Sequence, residues 1–285
     1  MKIITHRGLD SEHHHTFTES SKEAFAFFLG KGWGLEFDVR ITNDGVPVIS
    51  HDASLGRLTN KEEPAITEMT ADEFLNTPLP NGSTLTFDEL ITMMRSYAST
   101  TKSIHALHLK HHNQTSGELE LLLPYLAKLV DLPIIIFDVT PSVARLIKES
   151  IPSLQLSASV AHPYDILRHN SAVGETLLSL EELEQNRDVY DWAWLDEWDR
   201  TDAEKAEKAL YTKETVIKLQ TLAIKSVVVS PELHATSPKL LGGESHQDAV
   251  NIDSLGARWQ EIAKLQADAI CTDYPHKVSS MVYAD

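Results

Sequence analysis

Cysteine is almost missing from this chain, with Cys271 alone among 285 residues. A single thiol cannot close an internal disulfide, which fits a reducing compartment. Positive charge is also scarce: 25 Lys and Arg stand against 42 Asp and Glu, a formal charge of −17. That balance excludes long nucleic acid held by a basic face. No apolar run approaches the roughly 20 residues of a membrane-spanning helix. The opening MKIITHRGLD lacks the apolar core of a secretory signal, so no stable membrane insertion and a cytoplasmic location are expected. Repeats and linker-like stretches are lacking too, and three histidines at 13–15 are read as a solvated loop. One domain over 1–285 is therefore expected, and a hydrophobic fraction of 42% suffices for a sizeable core.

What is present is alternation. Short β-rich apolar runs occupy 2–5, 33–39, 104–110, 133–139, 154–159, 192–196, 225–229 and 267–271. Helical spacing fills 20–29, 87–97, 117–129, 142–150, 178–185, 212–222 and 254–266 between them, with Pro141 suited to a first helical position and Asp253 or Ser254 to an N-cap. Strand–helix alternation implies a parallel sheet with helices outside, and eight such runs favour a closed (β/α)₈ TIM barrel of the α/β class. Two stretches interrupt it. Asn43-Asp44-Gly45 signals a tight turn after the second run, so 42–84 reads as an inserted hairpin and loop over one mouth. A Gly-, Ser- and His-bearing loop fills 230–251.

Barrels carry their chemistry at the C-terminal ends of strands. The first run ends in His6-Arg7-Gly8: an acid–base group, a planar fork for a phosphate, and a residue that lets a ligand approach the backbone. In the second run Glu36 and Asp38 share one strand face, with Leu35, Phe37 and Val39 on the other. If the apolar set meets the helices, two carboxylates enter the mouth, and a divalent cation with oxygen ligands is the simplest way to hold them together. His51 follows the hairpin and could pair with His6. His108 and Lys110 share a face in the third run, where histidine could ligate a metal and lysine could meet a phosphate; His111 and His112 beside them leave open a solvated histidine-rich loop. Trp194, Trp198 and Tyr274, near the ends of later runs, are candidates for a pocket wall. A His-x-His pair ending the first run, which an amidohydrolase would want, is absent.

These residues together resemble the glycerophosphodiester phosphodiesterase family. The likeness rests on His6-Arg7-Gly8, Glu19 with Ala24-Phe25, Glu36-Phe37-Asp38-Val39, Thr42 to Val48, His51-Asp52, Leu55 and Arg57 to Thr59. It continues through Thr86-Phe87-Asp88-Glu89-Leu90, Phe137-Asp138 and Thr272-Asp273-Tyr274-Pro275. The resemblance implies a TIM barrel that hydrolyses a small glycerophosphodiester-like substrate to an alcohol and a phosphomonoester, with a place in lipid or glycerol metabolism. It implies His6 and His51 as the catalytic pair, Arg7 and Lys110 on the phosphate, and Glu36 and Asp38 as ligands of a divalent ion, Mg²⁺ or Ca²⁺. The family's third acidic ligand, in a Glu-x-Lys pattern, is replaced here by His108-Leu109-Lys110. A nitrogen donor at that position shifts preference towards Mn²⁺ or Zn²⁺; the alternative is a site with only Glu36 and Asp38 as protein ligands and water completing the shell, as Mg²⁺ tolerates. Thr18-Glu19-Ser20-Ser21 stands where the family has Pro-Glu-Asn-Thr, a change of helix capping. A barrel that binds phosphodiesters or sugar phosphates without turning them over is the competing expectation.

Overall fold

The computed structural model describes residues 1–12, 16–201, 204–233 and 251–282; the histidine triplet and most of the 230–251 loop lie outside the described residues. Numbered along the chain, eight strands form the barrel: β1 (Lys2–His6), β2 (Gly34–Ile41), β4 (His105–His108), β5 (Ile134–Phe137), β6 (Gln155–Ala161), β8 (Trp192–Asp196), β9 (Lys225–Val229) and β10 (Ala269–Thr272). Each pairs in parallel with the next, and β1 closes the ring on β10. A two-residue strand, β7 (Leu177–Leu178), pairs with β6 beside the ring. The expected (β/α)₈ barrel is what forms. Strand ends differ from the expected ones by at most two residues; in the third, the expected run reaches Lys110 and β4 stops at His108.

Strand alternation divides the apolar residues into two bodies. Leu35, Phe37, Val39, Leu107 and Ile136 face outward, under helices α1 (Lys22–Gly30), α4 (Phe87–Ser96) and α5 (Ser116–Leu126) among others, in the larger core. Each large side chain buried there contributes about 1.5–3 kcal/mol. Ile4, Ala106, Ile135, Trp192, Val227 and Ala269 fill the barrel interior. Glu36 and Asp38 lie on the interior side of β2, as alternation requires, and both are buried.

The insertion after β2 is a hairpin. Gly45 takes φ 79°, a left-handed conformation suited to glycine, and β3 (Pro47–Ile49) returns antiparallel to β2. Short helices α2 (Gly56–Thr59) and α3 (Ala71–Leu75) follow, around a small core of Val48, Leu55, Ile66, Met69 and Phe74. Ser21 caps α1 by accepting from the Ala24 amide at 3.2 Å, so the altered capping sequence still works as a cap. Pro141 opens α6 (Pro141–Ser150) as expected. The last long helix (Ile252–Ala263) is capped by Asn251, which accepts from the amides of Asp253 and Ser254, so neither of those two is the cap.

One helix has no signature in the apolar spacing. α7 (Pro163–Val173) buries Asp165 and His169 while Leu167 is 89% exposed. Its inward face is polar because Lys208, itself buried, reaches Asp165 at 2.6 Å and Asp199 at 2.7 Å. His169 packs on Trp198. A buried pair of this kind is destabilising when one partner is removed, because the other charge stays in the interior. Lys208→Met is therefore expected to cost about 3–5 kcal/mol of folding free energy. Urea denaturation checks this; a loss under about 1 kcal/mol would place Lys208 at a solvated surface instead.

Candidate active site

The C-terminal mouth of the barrel opens into a cavity of about 340 Å³. His6, Arg7, Glu36, His51, His108 and Lys110 all line it, and Asp38 lies directly beneath, in contact with His108 and Lys110. The seven residues singled out from the sequence thus meet in one place. Arg40, the next residue on the Glu36–Asp38 face of β2, lines it as well.

His6 ends β1 opposite Glu36. Its Nδ1 lies 2.8 Å from Asp273 Oδ1, at the end of β10; with the proton on Nδ1, Nε2 is left for the cavity. Arg7 and Gly8 both have positive φ, 55° and 66°. A Cβ on Gly8 would stand 3.1 Å from the Phe25 ring, so glycine also lets the turn sit against α1. This turn brings Arg7 back over the mouth, with Glu19 at 3.5 Å and Asp38 at 3.8 Å from its guanidinium.

His51 arrives from the insertion. Arg40 and Lys110 donate to its backbone carbonyl at 2.8 and 2.9 Å, which pins the segment to the barrel. Its Nδ1 lies 2.7 Å from Asp52, and Arg57 bridges Asp52 to Glu19. Burial pushes the His51 ring down to about 4, against the pull of Asp38 and Asp52, so it is a neutral imidazole at pH 7.

Glu36, Asp38 and His108 offer ligand atoms within 4.8 Å of one another. Burial works against ionising either carboxyl. It raises Glu36, helped by the neighbouring charge of Asp38. For Asp38 burial is outweighed by Lys110 at 3.2 Å, by His51 and by His108, and the group is held well below its ordinary value. Asp38 Oδ2 is buried and accepts no hydrogen bond among the described residues. Two adjoining buried carboxyls, one with an unused oxygen, and an imidazole beside them fit a divalent cation. The donor set is two oxygens and one nitrogen, as the sequence suggests.

Phe137 and Trp194 stack with ring centroids 3.9 Å apart and line the opposite wall with Trp198 and Leu177. Tyr274 does not join them; it packs against Trp259 in the outer core. His111 and His112 border the cavity, and His112 meets Arg40 at 3.1 Å, so they belong to the mouth rather than to a remote loop.

Sequence reasoning gave no role to Asp273, Asp138, Arg40 or Glu232. The first two are visible as charged residues ending apolar runs, and Arg40 by alternation. Glu232 has no such signal. It is buried in the loop after β9, accepts from the Thr272 hydroxyl at 2.5 Å and the Asp273 amide at 3.1 Å, and bonds the Ser230 hydroxyl. Burial and the nearby Asp273 charge raise it from 4.5 to about 7. A carboxyl raised on folding supports the fold below its unfolded value and withdraws that support as pH rises through its folded value. Glu232→Gln is accordingly expected to match the wild type in denaturant stability near pH 4 and to exceed it by about 3 kcal/mol at pH 8. Parallel pH dependences of the two proteins would contradict the shift.

A sequence model described as the glycerophosphoryl diester phosphodiesterase family matches residues 6–277. No curated protein matches the chain. Solved structures resemble it along nearly its full length. A glycerophosphoryl diester phosphodiesterase from Parabacteroides distasonis is 18% identical with a TM-score of 0.67, over 99% of this chain and 86% of that one. An Oleispira antarctica phosphodiesterase in complex with the product sn-glycerol-3-phosphate is 18% identical with a TM-score of 0.62, over 99% and 96%. A glycerophosphodiester phosphodiesterase from Thermotoga maritima is 17% identical with a TM-score of 0.59, over 99% and 97%. Identities this low speak for the barrel alone. The match of the family model over nearly the whole chain goes further: this protein belongs to the glycerophosphoryl diester phosphodiesterase family and is a phosphoric diester hydrolase.

Proposed function

We propose that the protein hydrolyses a small glycerophosphodiester-like substrate to an alcohol and a phosphomonoester, with His6 and His51 exchanging the protons. The observation that carries this is the convergence of two imidazoles from separate segments on the cavity lined also by Arg7, Lys110 and Glu36, with Asp38 beneath. Support for the substrate class comes from the family and from the product in the Oleispira antarctica phosphodiesterase.

Glu36, Asp38 and His108 would hold the divalent ion. When bound, that ion supplies Lewis-acid charge neutralisation at a phosphoryl oxygen. Arg7 presents a planar two-pronged donor to the phosphate, and Lys110 a point charge. An alkoxide leaves poorly, so a proton must be taken from the attacking hydroxyl or water and another given to the leaving oxygen. His51, neutral in the free protein and backed by Asp52, suits the acceptor's part. His6, held by Asp273 through Nδ1, then serves as the donor in its doubly protonated form, giving the Nε2 proton to the leaving oxygen. The two carboxylates orient the rings, each through Nδ1.

The assay is hydrolysis of bis(p-nitrophenyl) phosphate and glycerophosphocholine with Mg²⁺, Ca²⁺ and Mn²⁺, with and without EDTA. Chelation should abolish turnover and added metal restore it; binding without turnover under every metal would favour a non-catalytic barrel. Replacing His6 or His51 by alanine should lower kcat by a factor of ~10² or more. For the direction of proton transfer, kcat/KM is expected to fall on the acid side only near pH 4, where His51 takes up its proton. An acid limb well above pH 4 would reverse the two roles.

A further inference from the structure

The reading of Glu36, Asp38 and His108 as a metal centre leaves a question about His108, and any role given to the neighbours of that ring rests on the same reading. A carboxylate in its place would bring charge and two usable oxygens. An imidazole brings neither, and it ligates only if one nitrogen keeps its lone pair and the ring is turned correctly. One neighbour, Asp138, bears on both conditions.

Along one edge of the ring, His108 Nδ1 faces Asp38 Oδ1 at 2.9 Å. Along the other, Nε2 faces Asp138 Oδ2 at 3.2 Å. Asp138 follows β5, one residue past the register partner of His108, and it too borders the cavity. Its backbone is left-handed, with φ 66°, a conformation that non-glycine residues adopt at a cost and aspartate tolerates better than most. That strained position is secured from outside. Gln114 donates from Nε2 to the Asp138 carbonyl at 2.7 Å, while its Oε1 accepts from the Thr140 amide at 3.0 Å and the Thr140 hydroxyl at 3.1 Å. The plane of the His108 ring is fixed separately, by stacking on Phe137 at a centroid distance of 4.7 Å and an angle of 15°. Stacking alone still allows a half-turn flip about the Cβ–Cγ bond, which keeps that plane. The carboxylate removes that freedom.

We propose that Asp138 is a positioning residue of the metal centre, accepting the Nε2 proton of His108 so that Nδ1 is the ligating nitrogen. A carboxylate behind a histidine ligand fixes the tautomer and raises the basicity of the ligating nitrogen. It also returns to the site the negative charge forfeited when histidine stands in place of an acid. Asp138 is then needed because residue 108 is histidine, and this dependence distinguishes its role from ordinary packing.

The test is calorimetric titration of Mn²⁺ and Zn²⁺ into the wild type, Asp138→Ala, Asp138→Asn, His108→Glu and the His108→Glu/Asp138→Ala double variant, with circular dichroism on each. Asp138→Ala should bind either ion about 10- to 100-fold more weakly than the wild type. Asp138→Asn, which keeps an acceptor oxygen but no charge, should fall between them and carries the test if the alanine variant does not fold. In the His108→Glu background, removal of Asp138 should leave affinity unchanged or improved, since the two acids would repel. Wild-type affinity within twofold in both Asp138 variants would overturn the proposal and leave the metal centre standing. A further loss in the double variant would overturn it too, making Asp138 a direct ligand. If the wild type takes up neither ion, the metal reading itself fails.

Discussion

Glu36 and Asp38 are two carboxyls buried side by side on one strand, and the mouth of the barrel is organised around the cost of keeping them there. An isolated carboxylate in the interior is unstable by several kcal/mol, and two together repel. Lys110, His108 and Arg7 converge on Asp38 from neighbouring strands. Even so, one oxygen of Asp38 accepts no hydrogen bond among the described residues. A site that is buried, negative and incompletely satisfied is poised for a cation, which also answers how a protein of net charge −17 can hold an anionic substrate. Local charge at the mouth, not the overall charge, governs that encounter.

Around this centre the two histidines are built in the same way from different parts. His6 sits at the end of a barrel strand with Asp273 behind it; His51 sits on the insertion with Asp52 behind it. The insertion lies outside the ring of strands, and several contacts hold it to the barrel. The His51 carbonyl takes hydrogen bonds from Arg40 and Lys110, and Arg57 ties Asp52 to Glu19 in the turn before the first helix. Lys110 therefore serves two tasks, fixing the insertion and countering the charge of Asp38. Across the cavity the wall is aromatic and aliphatic, from Phe137 and Trp194 to Trp198 and Leu177. One side carries the charge, and the other is apolar.

Much of this was legible in the chain. Eight apolar runs separated by helical spacing lead to the barrel, and the alternation of Glu36 and Asp38 with Leu35, Phe37 and Val39 leads to the direction of the acids. Failure came where burial is polar. α7 shows no apolar stripe because its buried face holds Asp165 and His169, made tolerable by Lys208 and Trp198. Tyr274 looked like a pocket residue from its position after β10, yet its ring turned outward to Trp259. The support of Asp273 by Glu232 left no trace at all, since a lone glutamate after a proline carries no pattern.

The sequence alone determined those features that depend on covalent geometry within a few residues. Period-two alternation decides which side of a strand a residue takes, and Asn43-Asp44-Gly45 decides where the hairpin reverses. Only the tertiary structure decided which ends meet. His6 and Asp273 stand 267 residues apart and touch because the ring closes β1 onto β10. His108 gains Asp138 because β4 lies beside β5 in a particular register. Such contacts are set by strand pairing and packing over the whole barrel, and no local run of residues contains the energy that selects them.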